Sequence, residues 1–235
     1  MALPRSLPYD RIVEPGRAID LAVDPTPMAF LGDVHGNLPA LESVLAEIEA
    51  QSVRRLFVTG DLVFEGSEPL KTWIRLQSIG AHLVRGTSDL ALATIDPDAL
   101  RPMDENQLER TRLFRTARRS LGDIILRRLR GLPDRIRIAL PDGFEILVCH
   151  GSPRDPTEGI GHDLDDDEVR TLLDGTNADV VVCGCTHVPF VRDLDGRKVV
   201  NVGSVGDAPE GRRAHFTVIT PSRRGCRIEQ RAVGY

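Results

Sequence analysis

Aspartate and histidine recur in this chain at a few short, glycine-marked stretches, and their types suit metal-assisted chemistry. Asp33 and His35 stand one residue apart in Phe30-Leu31-Gly32-Asp33-Val34-His35-Gly36-Asn37. Gly60-Asp61, Gly86-Thr87-Ser88-Asp89, Cys149-His150-Gly151 and Gly184-Cys185-Thr186-His187 follow in order. Carboxylates mixed with imidazoles form the donor set of a divalent transition metal, whereas Mg²⁺ takes an all-oxygen shell. A carboxylate such as Asp61 can bridge two ions. Two ions about 3.5–4 Å apart lower the pKa of a bridging water and stabilise both oxygens of an in-line displacement at phosphorus. Taken singly, each of these residues has a structural reading as well; the signal lies in their joint recurrence.

Each stretch follows an apolar run that reads as a strand. Met28–Leu31 precedes Asp33, and 56–59 (Leu-Phe-Val-Thr) precedes Asp61. His82-Leu83-Val84 precedes Gly86, 144–148 precedes His150, and Val180-Val181-Val182-Cys183 precedes His187. Leu38, Leu41, Val44, Leu45 and Ile48 recur at helical spacing, with Asn37 as N-cap and Pro39 in the first turn. A second helix opens at Pro69 and stops at Gly80. The repeated β-α-β plan predicts an open α/β sheet, whose ligands bind at the carboxyl ends of its strands. Residues 1–27 are rich in proline and read as an N-terminal extension with a short strand near Ala18–Val23, leaving 28–235 as the main domain.

Residues 90–133 change character. They are helical by pattern, with a stripe of Leu113, Ala117, Leu121 and Ile124, and they carry a crowd of arginines from Arg110 to Arg130. These form either a solvated helical face or a helical cap insertion whose guanidinium groups meet substrate phosphates. A hairpin over 135–148 turns at Pro141-Asp142-Gly143. The acidic run 163–168 reads as the start of a helix at Glu168–Leu173, since anions favour helix N-termini. The last third is all β.

Composition narrows the function classes. The chain has 235 residues, 41% of them hydrophobic, enough for one substantial core. Its formal net charge of −5 argues against a nucleic-acid partner. No apolar run approaches the roughly 18 residues of a membrane span. No basic-then-apolar leader pattern opens the sequence, so the expected compartment is the cytoplasm. The four cysteines, Cys149, Cys183, Cys185 and Cys226, have no spacing of a disulfide framework, though Cys185 could ligate a metal.

In these five stretches, together with His150-Gly151-Ser152-Pro153 and Asn201-Val202-Gly203-Ser204-Val205-Gly206, the chain resembles the calcineurin-like metallophosphoesterases. It looks nearest to their small prokaryotic branch of phosphodiesterase and dinucleoside-tetraphosphatase-like proteins. The likeness runs from about Met28 to Ile219. It implies a four-layer α/β/β/α sandwich with a dinuclear site at the strand ends. By that resemblance Asp33, His35, Asp61 and His187 hold one metal. Asp61, His150 and the positions of Thr87 and Cys185 hold the other.

Two of those positions depart from the family's usual asparagine and histidine, and both fall on the second metal. Ser88 also stands where many relatives have a histidine. A cysteine ligand at 185 is softer than imidazole and favours Zn or Fe over Mn; its other reading is a small apolar residue at a strand end. One or two divalent metals per chain are therefore expected. Asp89 is the candidate catalytic side chain, with loop fixation as the alternative. Asn37 and Arg154 are candidate substrate contacts, with an N-cap and a solvated loop residue as their alternatives. The expected function is a metal-dependent phosphoric-ester hydrolase in which a metal-activated hydroxide attacks a small phosphorylated or nucleotide substrate in line. The alternative is a catalytically impaired binding or regulatory protein that retains one metal.

Overall fold

The computed structural model describes residues 17–222 and 225–235. Pro4, Pro8 and Pro15 of the expected extension lie outside the described residues. The elements run β1 (Ala18–Ala22), β2 (Met28–Leu31), α1 (Leu38–Ala50), β3 (Arg55–Val58), α2 (Pro69–Ser78), β4 (His82–Leu83), α3 (Thr87–Thr94) and α4 (Glu105–Arg130). They continue as β5 (Arg135–Ala139), β6 (Glu145–Cys149), α5 (Asp166–Leu172), β7 (Val180–Cys183), β8 (Phe190–Leu194), β9 (Arg197–Asn201), β10 (Arg213–Ser222) and β11 (Gly225–Gly234). Two sheets result, ordered β1-β5-β6-β7-β9-β8 and β11-β10-β2-β3-β4.

Strand alternation explains how the sheets stack. Successive side chains of a strand point to opposite faces, so each central strand feeds two cores. Met28, Phe30 and Phe57 meet Ile146, Val148, Val180 and Val182 between the sheets. Ala29, Leu31, Leu56 and Val58 face the other way, into α1, α2, α3 and α4. On the far side, Leu147, Val181 and Cys183 pack with Val169 of α5. The layers are thus helices, five-stranded sheet, six-stranded sheet and helix, the expected α/β/β/α sandwich. Runs such as Val180-Val181-Val182 lack polar alternation because both of their faces are covered. Phe30 and Phe57 stack across the parallel β2–β3 pair with ring centroids 5.2 Å apart.

Residues 18–22 form β1, which pairs in parallel with β5 at the edge of the six-stranded sheet. The first helix starts as its sequence requires: Asn37 Oδ1 accepts from the Ala40 N–H at 3.2 Å, and Pro39 lies in the first turn. The acidic run also caps a helix, which begins slightly earlier than its pattern indicated. Asp165 Oδ1 accepts from the N–H groups of Asp167 and Glu168, and Glu168 reaches back to the Asp165 N–H, the reciprocal arrangement of a capping box.

The stripe drawn through the long helix needs correction. Ala117 and Leu121 are buried, but Leu113 is 39% and Ile124 is 64% exposed. Gly122 sits at φ 68°, ψ 166° and breaks α4 into two pieces. A continuous 3.6-residue period cannot be extended across such a break. The buried face runs Thr111, Phe114, Ala117 and Leu121, then resumes at Leu126 and Leu129. Both pieces share one core with α1 and α2. Several arginines of this layer are already engaged. Arg110 pairs with Glu65, Arg112 with Glu109, Arg115 with the Pro97 carbonyl, and Arg118 with the Leu92 carbonyl.

Candidate metal centre

Parallel strands β2, β3 and β4 end on one sheet, and parallel strands β6, β7 and β9 end on the other. The loops that leave them meet. Asp33 N–H donates to the Gly60 carbonyl at 3.0 Å, and His35 N–H donates to the Asp61 carbonyl at 2.9 Å. Across the sheets, Val205 N–H donates to Gly32 and Gly206 N–H to Asp33, while Ser204 Oγ donates to the Asp33 carbonyl at 2.8 Å. Asp33, His35, Asp61, Cys185 and His187 all have φ between 50° and 70°. That left-handed backbone is uncommon for residues other than glycine, and such strain concentrates at functional sites. The loops also approach too closely for side chains at several positions, Gly86 and Gly184 among them. A Cβ on Gly86 would collide with the Asp61 amide, and one on Gly184 with Asp33 Oδ2.

Among the described residues, two sets of candidate ligands have donor atoms within 4.8 Å of one another: Asp33, His35 and His187, and Asp33, Asp61 and His150. His35 Nε2 lies 3.2 Å from His187 Nε2 and 4.0 Å from both Asp33 Oδ1 and Asp61 Oδ2. His187 Nε2 is 3.4 Å from Asp33 Oδ1, and His150 Nε2 is 3.6 Å from Asp61 Oδ2.

The other nitrogen of each ring decides what these contacts mean. His35 Nδ1 meets the Phe64 carbonyl, His150 Nδ1 the Thr59 carbonyl at 3.0 Å, and His187 Nδ1 the Asp207 carbonyl at 2.9 Å. A carbonyl can only accept, so each Nδ1 carries a proton. In a neutral ring, each Nε2 then turns a lone pair towards the carboxylates. Two such lone pairs facing each other at 3.2 Å beside anionic oxygens call for a cation between them. Asp33 Oδ1 is buried and has no hydrogen-bond partner, which is the orphaned acceptor that an ion would satisfy. The residues present therefore fit a divalent metal.

Without an ion, the same pocket draws its positive charge as protons on the imidazoles. Burial disfavours a charged His187, yet its hydrogen bonds to Asp207 and Asp33 overcome that and push its pKa up to about 10. Burial likewise opposes charge on His150, and Asp61, Cys185 and Asp33 outweigh it and raise its pKa. Burial raises Asp61, but the fields of His150 and His35 and the bonds from Ser88 hold it below the usual carboxylate range. The cluster attracts positive charge at the imidazole edges.

The remaining expected residues occupy varied positions. Cys185 directs its N–H to Asp33 Oδ2 at 3.1 Å, and its side chain contacts His150; it belongs to neither set above. Thr87 Oγ1 donates to the Pro156 carbonyl at 3.3 Å. Asp89 is fully buried beneath the loops, accepting from Leu62 N–H at 3.0 Å and Gly86 N–H at 2.9 Å. Burial and then the charge of Asp61 push its pKa up to about 7. Asn37 caps α1 and lines a groove beside His35. Arg154 is not brought to the cluster: its guanidinium turns to Asp174 and the Thr171 carbonyl at the end of α5.

One contributor escaped sequence reasoning. Asp207 places Oδ2 3.2 Å from His187 Nδ1 and so orients that ring. Its signal was its place just after the Asn201–Gly206 stretch. A carboxylate behind a metal-facing imidazole raises the ligand's basicity and fixes its tautomer. Asp207→Ala is expected to weaken metal affinity about 10–100-fold, read by titrating metal into the depleted protein.

Strand ends that present paired carboxylates and imidazoles in this way are candidate ligands for a divalent metal. The chain belongs to the calcineurin-like phosphoesterase superfamily, whose domain model matches residues 27–224. It is accordingly a metal-dependent phosphoester hydrolase, and that family works with divalent metals. It is 25% identical over 199 residues to the uncharacterized protein MJ0912 of Methanocaldococcus jannaschii, covering 78% of each chain. Among solved structures, it is similar to the hypothetical protein PH1004 of Pyrococcus horikoshii OT3, at a TM-score of 0.78 and 21% identity, covering 89% of this chain and 88% of that one. It is also similar to a metallophosphoesterase from Sphaerobacter thermophilus, at a TM-score of 0.67 and 24% identity over 87% of each chain. These two structural likenesses concern the fold. No helix among the described residues is long and apolar enough to cross a membrane.

Proposed function

We propose that this protein hydrolyses a small phosphodiester or phosphomonoester, or a dinucleoside polyphosphate, by in-line displacement at phosphorus. The observation that carries the reading is the convergence of three imidazoles, each donating Nδ1–H to a backbone carbonyl, with Nε2 facing Asp33 or Asp61. Asp33, His35 and His187 would hold one ion, and Asp61, Asp33 and His150 a second. When bound, the metal supplies the nucleophile at neutral pH and the positive charge that steadies the transferring phosphoryl. The chain's own residues set the geometry. The Phe64, Thr59 and Asp207 carbonyls fix the three tautomers, and Ser88 N–H holds Asp61 Oδ1 at 2.8 Å. Cys185, beside His150, biases the second position towards a soft ion such as Zn or Fe. The net acidic charge supports a small substrate over a nucleic acid.

The test is metal stoichiometry measured together with turnover. The purified protein is assayed for bound metals and for hydrolysis of p-nitrophenyl phosphate and bis(p-nitrophenyl) phosphate with Mn²⁺, Fe²⁺, Zn²⁺ and Co²⁺. Turnover with at least one of them, lost on chelation and restored on refilling, is the expected result. No turnover with any metal, joined to at most one ion per chain, would sink the proposal.

A further inference from the structure

Three successive residues of the loop between β3 and α2, Phe64, Glu65 and Gly66, connect His35 to α4. The Phe64 carbonyl accepts from His35 Nδ1, and Gly66 N–H donates to the His35 carbonyl. A Cβ on Gly66 would collide with that same carbonyl, so the loop lies directly against His35. Towards α4, the buried Phe64 ring meets the buried Phe114 ring edge to face, with centroids 5.6 Å apart and planes at 88°. Aromatic pairs favour that arrangement. The next residue, Glu65, pairs with Arg110. Arg110 and Phe114 stand four residues apart on α4 and so project from one face of it. Phe114 is itself anchored. The Arg118 guanidinium carbon lies 5.9 Å from its ring centre, and Arg118 also donates to the Leu92 carbonyl of α3.

We infer that Phe114 and Arg110 are positioning residues for His35, and that α4 serves the metal centre by holding one of its ligands in place. The inference deepens the metal-dependent reading above and rests on it. His35 turns a lone pair of Nε2 towards an ion only while Nδ1 keeps its proton on the Phe64 carbonyl. Without that acceptor either ring nitrogen can carry the proton, and a protonated Nε2 offers an ion no lone pair. The carbonyl has no means of its own to stay in line. Its place follows from where the Phe64 ring is packed, and Phe114 packs it. The ring contact carries more of the effect than the ion pair. Both rings are buried, whereas the Arg110 and Glu65 side chains are 43% and 41% exposed, and exposed pairs are held weakly in water. The arginine-bearing helix thereby acquires a role that needs no contact with substrate.

The experiment compares the full chain as wild type, Phe114→Ala, Phe114→Leu, Arg110→Gln and Leu129→Ala. Leu129 is buried in the same core but stands in the other piece of α4, beyond Gly122, so Leu129→Ala reports the cost of a cavity alone. Two quantities are read. Long-range ¹H–¹⁵N correlations of the metal-depleted proteins give the tautomer of the His35 ring, assigned by its loss in His35→Gln. Competition against a chelator gives the affinity for Zn²⁺. Wild type is expected to hold the Nδ1–H form. Phe114→Ala is expected to populate the Nε2–H form and to bind Zn²⁺ about tenfold more weakly, as for loss of support behind a metal ligand. Phe114→Leu and Arg110→Gln should shift both readings in the same direction by less, and Leu129→Ala should shift neither. A wild-type ring in another form, a Phe114→Ala protein like wild type in both readings, or an equal shift in Leu129→Ala overturns the inference. Should Phe114→Ala not fold, wild-type readings in both Phe114→Leu and Arg110→Gln overturn it instead. Failure of the hydrolase reading would show separately, as wild type that binds no Zn²⁺ and turns over no ester, and the tautomer comparison is read without either.

Discussion

Asp61→Ala is expected to cut phosphodiester turnover by about three orders of magnitude or more. Metal charge stabilisation at a transferring phosphoryl is worth several kcal/mol, and about 1.4 kcal/mol is tenfold in rate. Asp61 is singled out by its reach. Its Oδ2 faces His150 at 3.6 Å and His35 at 4.0 Å, one imidazole from each sheet, while Oδ1 is pinned by the Ser88 N–H. Removing the carboxylate takes a ligand from the candidate position it shares with Asp33 and His150, and negative charge from beside His35 of the other. Bound metal per chain should therefore fall together with turnover. Asp61→Asn separates charge from placement, because its amide oxygen can still accept from Ser88 but carries no charge. If charge is what matters, Asn should be nearly as inactive as Ala while retaining more of the wild-type stability. Turnover within tenfold of wild type in Asp61→Ala, measured at saturating metal, would show that this carboxylate holds no ion.

The chain disclosed much of this arrangement before any coordinates, for identifiable reasons. A buried strand such as Val180–Cys183 declares itself by unbroken β-branched residues, and a loop such as Gly32-Asp33-Val34-His35 by glycine beside metal-capable groups. The order of strand, loop and helix then places Asp33, Asp61, His150 and His187 at carboxyl ends without further information. Contacts made through the main chain were not legible in this way. Phe64 and Thr59 act on His35 and His150 through carbonyl oxygens, and nothing in a phenylalanine or threonine side chain announces that service. Arg212 and Tyr235 lie far along the chain from His35 and join its groove only because β10 and β11 fold back beside β2. The helical stripe failed for a local reason: Gly122 resets the phase of α4, and a single glycine inside a helical pattern does not say whether the helix passes through it or breaks.

The strain at the site shifts attention from ligands to what holds them. Five left-handed residues on neighbouring loops cannot persist unless the surroundings over-determine them. The surroundings supply this through short, mostly backbone contacts between loops that belong to different strands. Asp33 binds the β3 loop through Gly60 and is itself held by Ser204 and Gly206 of the β9 loop. The departures at Thr87 and Cys185 sit within this lattice. Thr87 ties the β4 loop to Pro156, and the Cys185 backbone ties the β7 loop to Asp33. Both positions thus contribute to holding the loops whatever their part in metal binding.

Asp89 braces the β3 and β4 loops from beneath that lattice, and Asp89→Ala is expected to cost about 3 kcal/mol of stability. Its two oxygens accept from Leu62 N–H, just after Asp61, and from Gly86 N–H, at the start of α3. All of this is buried. Deleting the carboxylate leaves two N–H groups without acceptors, at about 1–3 kcal/mol each, and partial relaxation returns some of that loss. Asp89→Asn should cost less, because its amide oxygen replaces one acceptor, though its NH₂ then faces the other N–H. Urea denaturation of the metal-depleted variants reads these differences without reference to activity. Turnover should fall alongside, since Gly86 and Asp61 lie in such close contact that movement of one loop displaces the other. A role for Asp89 as proton donor to a leaving group makes the opposite forecast. It would leave the urea midpoint of Asp89→Asn near wild type and change only the pH dependence of turnover. With no exposed surface on Asp89 and both of its oxygens bonded to backbone, the stability loss is the expected outcome.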